Sequence, residues 1–411
     1  MIPIKRIYDA AKKKTILIVD DDPVVVHIYR EKFQSQGFKV EAAANGDSII
    51  QRLKDDSVDL VILDLCLPGI NGVEVLRNIR SEFDVNALPV IVFSNAYLTN
   101  AGQAALAAGA TKCVPKAHIT PGQMLELVCE LLDPDQYHDV GATSKVVGRD
   151  ANGTHPGKSE TEFQEKLVAT LAIKAPQILA KLRASHQVFA KTDQEHVQRA
   201  ELSEMHRRVR SLACSAGLLG FREMAQMANA LEALLIELHA RPNNTTPSVV
   251  RTVAQAIDTL ASLFDKTTNL PTELSVPPKI LVVDDEIISR EMICSALGKA
   301  NLTSVSLDDS LAAQRLLEQD HFDLIFLDVE MPGQSGFELC VKIRGMAANR
   351  ATPVVFVTAH SDFGRRARST LNGGNDFIAK PFLFVELAVK ALTCLFKESL
   401  LPLSALTAQT P

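Results

Sequence analysis

The 411-residue sequence has no tryptophan, four tyrosines and only 5% aromatic residues, against 46% hydrophobic residues. That balance suits ordinary globular α/β and helical units, and the length allows roughly two to four of them. Cysteine is sparse and scattered, with seven residues of which no two lie closer than sixteen positions. This leaves no CxxC pair, no zinc-ligand spacing and no disulfide framework, so a reducing, cytoplasmic setting is expected. No apolar run reaches the roughly eighteen residues that would cross a bilayer, and the basic lead-in MIPIKRIYDAAKKKT lacks the apolar centre of a signal peptide. An excess of positive charge is missing too. The net charge is −6, which argues against nucleic acid or a membrane surface as the principal partner. The short basic runs Lys12–Lys14 and Arg365–Arg368 read as a solvated tail and a helix face.

What the sequence does have is a repeat. DLVILDLCLPGING and DLIFLDVEMPGQSG each deliver one acid, Asp64 or Asp328, from an apolar run into a loop of proline and glycine. Asp64, Pro68, Gly69 and Gly72 fall at the same offsets as Asp328, Pro332, Gly333 and Gly336. The match extends outward with a constant shift of 264 residues, pairing Asp20 and Asp21 with Asp284 and Asp285, Ser94 with Thr358, and Lys116 with Lys380. Such a repeat fixes two similar domains before anything else is read. Within each, strand-like runs (ILIVDD, VILD, PVIVFS; ILVVDD, IFLD, PVVFVT) alternate with helical patterns. Helices are expected to open at Pro23, Gly46 and Gly72, over Asn100–Ala108 and over Pro121–Leu132, and strands over KVEAA and TKCV. Alternation of this kind predicts a doubly wound, mostly parallel sheet covered by helices on both faces. Ligands bind such sheets at the carboxyl edge of the strands, where the acids lie.

Between the copies the pattern changes. Residues 134–158 collect glycine, proline, asparagine and aspartate and read as a linker. The run GTHPGKS within it is one residue short of a phosphate-binding loop and follows no strand. Residues 159–265 are helical in period, with breaks expected at Pro176, Lys191–Asp193, Gly217–Gly220 and Arg241–Pro247, which suits a four- or five-helix up-down bundle. The expected organisation is a tail (1–14), an α/β domain (15–133), the linker, the all-α bundle, a second linker (266–278), a second α/β domain (279–398) and a tail (399–411).

The four separated motifs, twice in one order, resemble the receiver domain of two-component response regulators over about 120 residues in each copy. The resemblance implies a CheY-like (flavodoxin-like) fold and a phosphoryl group carried on aspartate, with Asp328 and Asp64 as acceptors. Transfer onto a carboxylate needs an ionised nucleophile, a divalent cation and a further positive charge. Two adjacent acids beside the acceptor repel one another unless a hard cation sits among them. Mg²⁺ is the implied cofactor. Asp285, Asp328 and the backbone carbonyl of Glu330 are its implied ligands, with Asp284 acting through water. Asp21, Asp64, Cys66 and Asp20 take the corresponding places in the first copy. Ser94 and Thr358 are implied to hydrogen-bond the phosphoryl group, and Lys116 and Lys380 to pair with it. The second copy is complete, including Phe377 three residues before Lys380. The first departs from the pattern at Cys113 in place of that aromatic, at Asn95 and at Ala117.

VRSLACSAGLLGFREMAQMANALEALL resembles the core of histidine phosphotransfer domains, aligning on Leu212, Ser215, Ala216, Leu219 and Gly220. Arg210 then stands where the phosphorylatable histidine belongs, and a guanidinium has no lone pair to attack phosphorus. His206, one turn earlier on the same helical face, reads as an ordinary surface or half-buried histidine. The whole is read as a cytoplasmic response regulator and not an enzyme. Its expected partners are a histidine kinase or phosphotransfer protein as donor and a downstream protein effector or a second copy of the chain. The alternative is the regulatory half of a larger enzyme, because paired receivers with the run GGNDF also resemble the front of diguanylate cyclases. The twelve residues from Leu400 are too few for a catalytic or DNA-binding domain.

Overall fold

The computed structural model describes residues 13–45, 49–55, 57–67, 70–94, 101–116, 119, 121–132, 158–267, 277–358 and 375–399. The basic lead-in up to Lys12, nearly all of the first linker and most of the second, Pro68, Gly69, Asn95, Asn100, Ala117, Arg365–Arg368 and the tail from Leu400 lie outside them. The chain divides into two compact units, Met1–Lys174 with Ser211–Ala225, and Ala175–Arg210 with Gln226–Pro411.

In the first unit β1 (Thr15–Val19), β2 (Lys39–Ala43), β3 (Leu60–Leu63), β4 (Val90–Phe93) and β5 (Lys112–Val114) form one sheet. The order is β2-β1-β3-β4-β5, and every pairing is parallel. The helices between them are α1 (Pro23–Ser35), α2 (Ile49–Asp55), α3 (Gly72–Glu82), α4 (Ala101–Ala107) and α5 (Pro121–Leu132). Alternation along the strands splits the apolar side chains between two cores. Leu17, Val19, Val61 and Leu63 pack with Val73 and Leu76 of α3 on one face. Ile16, Ile18 and Ile62 pack with Tyr29 and Phe33 of α1 and Met124 and Val128 of α5 on the other. Because both faces are buried there, β1, β3 and β4 each read as a continuous apolar run.

Four helices follow among the described residues: α6 (Lys158–Lys191), α7 (Glu195–Leu218), α8 (Arg222–Ala240) and α9 (Pro247–Thr267). The break expected at Pro176 is not there, and α6 runs through that residue. Proline removes one hydrogen bond and crowds the preceding turn, at a cost of about 3 kcal/mol. Buried Ala175, Leu179, Leu182 and Phe189 around and beyond it supply enough apolar contact to keep the helix continuous. The other expected breaks are present: Gly220, at φ +76°, follows α7, and a 3₁₀ turn (Pro242–Asn244) precedes α9. The end of α7 belongs to the first unit, where Cys214 joins the Tyr29–Phe33 core.

The second unit repeats the sheet. β6 (Ile280–Val283), β7 (Ser304–Leu307), β8 (Leu324–Asp328), β9 (Val354–Thr358) and β10 (Asp376–Ala379) lie in the order β7-β6-β8-β9-β10, again all parallel. Its helices are α10 (Ile287–Lys299), α11 (Ser310–Gln319), α12 (Gly336–Gly345) and α13 (Phe384–Ser399). Asp309 caps α11 by accepting from the backbone N–H of Leu311 and Ala312, and Ser335 with Glu338 forms a capping box on α12.

Candidate functional site

Both sheets end in an acidic cleft. In the first unit Asp20 directly follows β1 and Asp64 directly follows β3. The Asp20 N–H donates to Ala43 O and that of Asp64 to Val19 O, so strand pairing itself places the two carboxyls side by side. Asp20, Asp21 and Asp64 each offer an oxygen within 4.8 Å of the others, and Asp284, Asp285 and Asp328 do the same in the second unit. All six are residues the sequence singled out. Carboxylate oxygens this close, with no sulfur or imidazole among them, form a donor set for a hard divalent cation. The backbone N–H of Cys66 donates to Asp64 Oδ1 at 3.1 Å. Glu330 likewise donates its N–H to Asp328.

The lysines complete the clefts, but differently. Lys116 is buried, 2% exposed, and its Nζ lies 2.6 Å from Asp20 and 2.7 Å from Asp64. Lys380 is 17% exposed and sits 2.9 Å from Asp284, with Asp328 and Glu286 each at 3.5 Å. Burial pushes the Asp20 carboxyl up to about 6, with Asp64 adding to the rise and Lys116 opposing it. Burial also raises Asp328 to about 6, helped by Asp284 and opposed by Lys380. A cation among the acids acts against both shifts by favouring the ionised forms.

The hydroxyls stand one strand over. Ser94 follows β4, and its Oγ is buried without a hydrogen-bond partner among the described residues. Thr358 ends β9, is buried, and its carbonyl accepts from the Lys380 N–H at 2.7 Å. The glycines have a steric reason. A Cβ at Gly72 would strike Leu65 Cα and lie 2.6 Å from the Asp64 carbonyl oxygen, and one at Gly336 would strike the Asp328 carbonyl oxygen. Each loop therefore folds its backbone over the aspartate that ends the central strand, where no side chain fits. Gly333 adds a positive φ of +79°.

Three contributors were not identified from the sequence. Ser289 donates its hydroxyl to Asp284 Oδ2, Arg290 donates to the Asp284 carbonyl at 2.7 Å, and Glu286 approaches Lys380. Ser289 is a buried polar residue on the first turn of α10, five positions after an acid, and that placement is the signal that could have found it.

The family model of the response regulator receiver domain matches residues 16–128 and 280–392, more than half of the chain. The chain belongs to the response regulator receiver family. Both receiver domains coincide with the two parallel five-stranded sheets, separated by a helical region. Among curated relatives, the transcriptional activator protein IrlR of Burkholderia pseudomallei is 32% identical over 117 residues, 28% of this chain and 50% of its own. The phosphate regulon transcriptional regulatory protein PhoB of Klebsiella pneumoniae is 37% identical over 112 residues, 27% of this chain and 49% of its own. The chain thus spans about half the length of the curated relatives it matches. Among solved structures, the receiver domain of sensor histidine kinase PA1611 from Pseudomonas aeruginosa, with a magnesium ion in its active-site cleft, is 27% identical. It covers 30% of this chain and 99% of its own, with a TM-score of 0.28. Receiver domains of this family are phosphoacceptor switches of phosphorelay signalling. No helix among the described residues is long and apolar enough to cross a membrane.

Proposed function

We propose that the chain is a response regulator that accepts a phosphoryl group on Asp64 and on Asp328 and signals by protein contact. The observation that carries this is the twofold occurrence of three carboxylates within 4.8 Å of one another, with a lysine ammonium bridging two of them. Asp21, Asp64 and Cys66, and Asp285, Asp328 and Glu330, are the groups that would hold Mg²⁺, with Asp20 and Asp284 beside them. When bound, Mg²⁺ supplies charge neutralisation for the phosphoryl oxygens. A carboxylate oxygen of the acceptor attacks phosphorus, a new phosphorus–oxygen bond forms, and the bond to the donor breaks with its electron pair leaving on the donor. Lys116 or Lys380 balances the negative charge, and the hydroxyl of Ser94 or Thr358 donates to a phosphoryl oxygen.

The donor fitting this chemistry is the phosphohistidine of a histidine kinase or phosphotransfer protein. The matched relatives are named as transcriptional regulators, but only about half their length is shared, so a DNA-binding output is not carried over. Helices α6–α9 are read as a phosphotransfer-like segment without relay chemistry. Arg210 occupies the acceptor position, and His206 turns a buried Nε2 toward Glu232, 3.3 Å away. The domain division at 15–133, 159–265 and 279–398 belongs to the same proposal.

The test is incubation of the full chain with acetyl phosphate and Mg²⁺, followed by intact mass. Two added phosphoryl groups are expected, one each in Asp64→Asn and Asp328→Asn, and none after chelation of the metal. Retention of two in either variant would refute the assignment.

A further inference from the structure

The helical segment holds polar side chains that its own fold leaves unpaired. On α8, Glu232 is 3% exposed and Asn229, three positions earlier, is 1% exposed. His206 on α7 meets Glu232. Its ring is 29% exposed, yet its Nε2 is buried and lies 3.3 Å from Glu232 Oε1. All three residues belong to the second unit. Four atoms, His206 Nε2, Asn229 Oδ1 and Nδ2, and Glu232 Oε2, are buried without a hydrogen-bond partner. Buried polar groups are almost always paired, because each one left alone forfeits its hydration for nothing. The surroundings offer no compensation. Met205 and Val209 near His206, and Leu231 and Ala233 beside Glu232, are buried and apolar. Arg207 pairs with Glu204, and Arg208 with Glu204 and Ser185. Among the described residues, His206 is the one ion-pair partner of Glu232.

One kind of occupant satisfies the acceptors together. An imidazole nitrogen, a carboxylate and an amide oxygen, with no thiolate among them, are donors that divalent transition-metal ions such as Zn²⁺ and Co²⁺ take. Two donors sharing such an ion through bonds of about 2.0–2.2 Å stand about 3.0–3.4 Å apart. The His206–Glu232 separation of 3.3 Å has that value without the alignment of a hydrogen bond. Residues three apart on a helix are neighbours, which puts Asn229 on the Glu232 side of α8. The exposed part of the His206 ring gives an ion its route from solvent.

We propose that His206 Nε2, Glu232 and Asn229 Oδ1 form a site for one divalent transition-metal ion that clasps α7 to α8. Three protein donors leave a further position for water. The site differs in chemistry from the acidic clefts, whose carboxylates suit the harder Mg²⁺. Because its donors come from two helices, the ion binds the folded segment and stabilises it. Neither cleft takes part, so the site stands apart from the phosphoacceptor reading.

The probe is Co²⁺, added to the full chain in excess Mg²⁺ so that the harder ion holds the acidic clefts. Four-coordinate cobalt with nitrogen and oxygen donors absorbs strongly in the visible, whereas six-coordinate cobalt among carboxylates and water absorbs weakly. One strongly absorbing equivalent per chain is expected, displaced by Zn²⁺. His206→Ala and Glu232→Gln are each expected to weaken binding at least tenfold, since losing a mere supporting contact already costs about 10–100-fold. His196→Ala, at an exposed histidine of the same helix, is expected to bind as the parent does. Glu232→Gln also separates binding from folding. It removes a buried charge, so without metal it is expected to melt no lower than the parent, and with Zn²⁺ to lack the parent's upward shift in melting temperature. A strong band that survives both substitutions overturns the site. So does a metal-free melt of Glu232→Gln below the parent's, which marks an ordinary ion pair. No strong band in the parent overturns it as well and leaves the orphaned atoms to water.

Discussion

Replacing Gly336 by alanine tests the geometry of the second cleft with one methyl group. The new Cβ would overlap the Asp328 carbonyl oxygen, stand 2.9 Å from Asp328 C and reach 3.1 Å from Leu327 Cγ. Two of these three neighbours are backbone of Asp328 itself, so no side-chain rotation relieves them. The loop must move, and the Gly336 N–H bond to Val329 O (3.1 Å) moves with it. Overpacking costs about 1–3 kcal/mol, and a backbone clash belongs at the upper end. At about 2–4 °C per kcal/mol for a unit of this size, the second unit should melt about 6–12 °C lower. Gly298→Ala is the control, because within α10 its Cβ meets nothing inside 4 Å. There a gain of about 0.5–1 kcal/mol is expected. The assay is thermal unfolding together with intact mass after acetyl phosphate treatment. Gly336→Ala should lose the phosphoryl group on Asp328 and keep the one on Asp64. A variant that melts with the parent and carries both groups would refute the reasoning.

Asn349→Ala should cost about 2–4 kcal/mol by denaturant unfolding, because its buried amide donates to Leu317 O and Asp320 O and accepts from the Phe322 N–H, leaving three backbone groups short of a partner. Asp309→Ala removes only the cap of α11 and should cost about 1 kcal/mol. Burial raises the Glu386 carboxyl above its ordinary value, so the folded chain holds that proton more tightly than the unfolded chain. Stability should therefore fall as pH rises from the ordinary glutamate value through the raised one, and Glu386→Gln should flatten that slope, which paired melts across the window will measure. An identical slope in parent and variant would sink the claim.

The sheets and clefts could be read from the sequence because parallel strands buried on both faces leave a plain signal. ILIVDD, VILD and PVIVFS each end where the chain leaves the core, and the acids mark that edge twice at one spacing. Lys116 and Lys380 were equally visible, but not that one is sealed and the other partly open. Exposure depends on side chains from several elements, and no local pattern reports it. Pro176 misled because a local rule about proline was outweighed by apolar contact on either side of it. The partners of Glu386 lie 138 and 134 residues away in α9. From sequence alone, Ser248 and Thr252 are indistinguishable from polar residues on a solvated helix face, and Arg251 gives no hint of the Phe377 ring beneath it.

The unequal seating of the two bridging lysines has a practical side. An amine-seeking reagent, or an enzyme that acylates lysine, can reach the ammonium in the second cleft and is shut out of the first. Acylation there would remove the positive charge that balances Asp284 and Asp328 and leave the sealed Lys116 of the first cleft untouched.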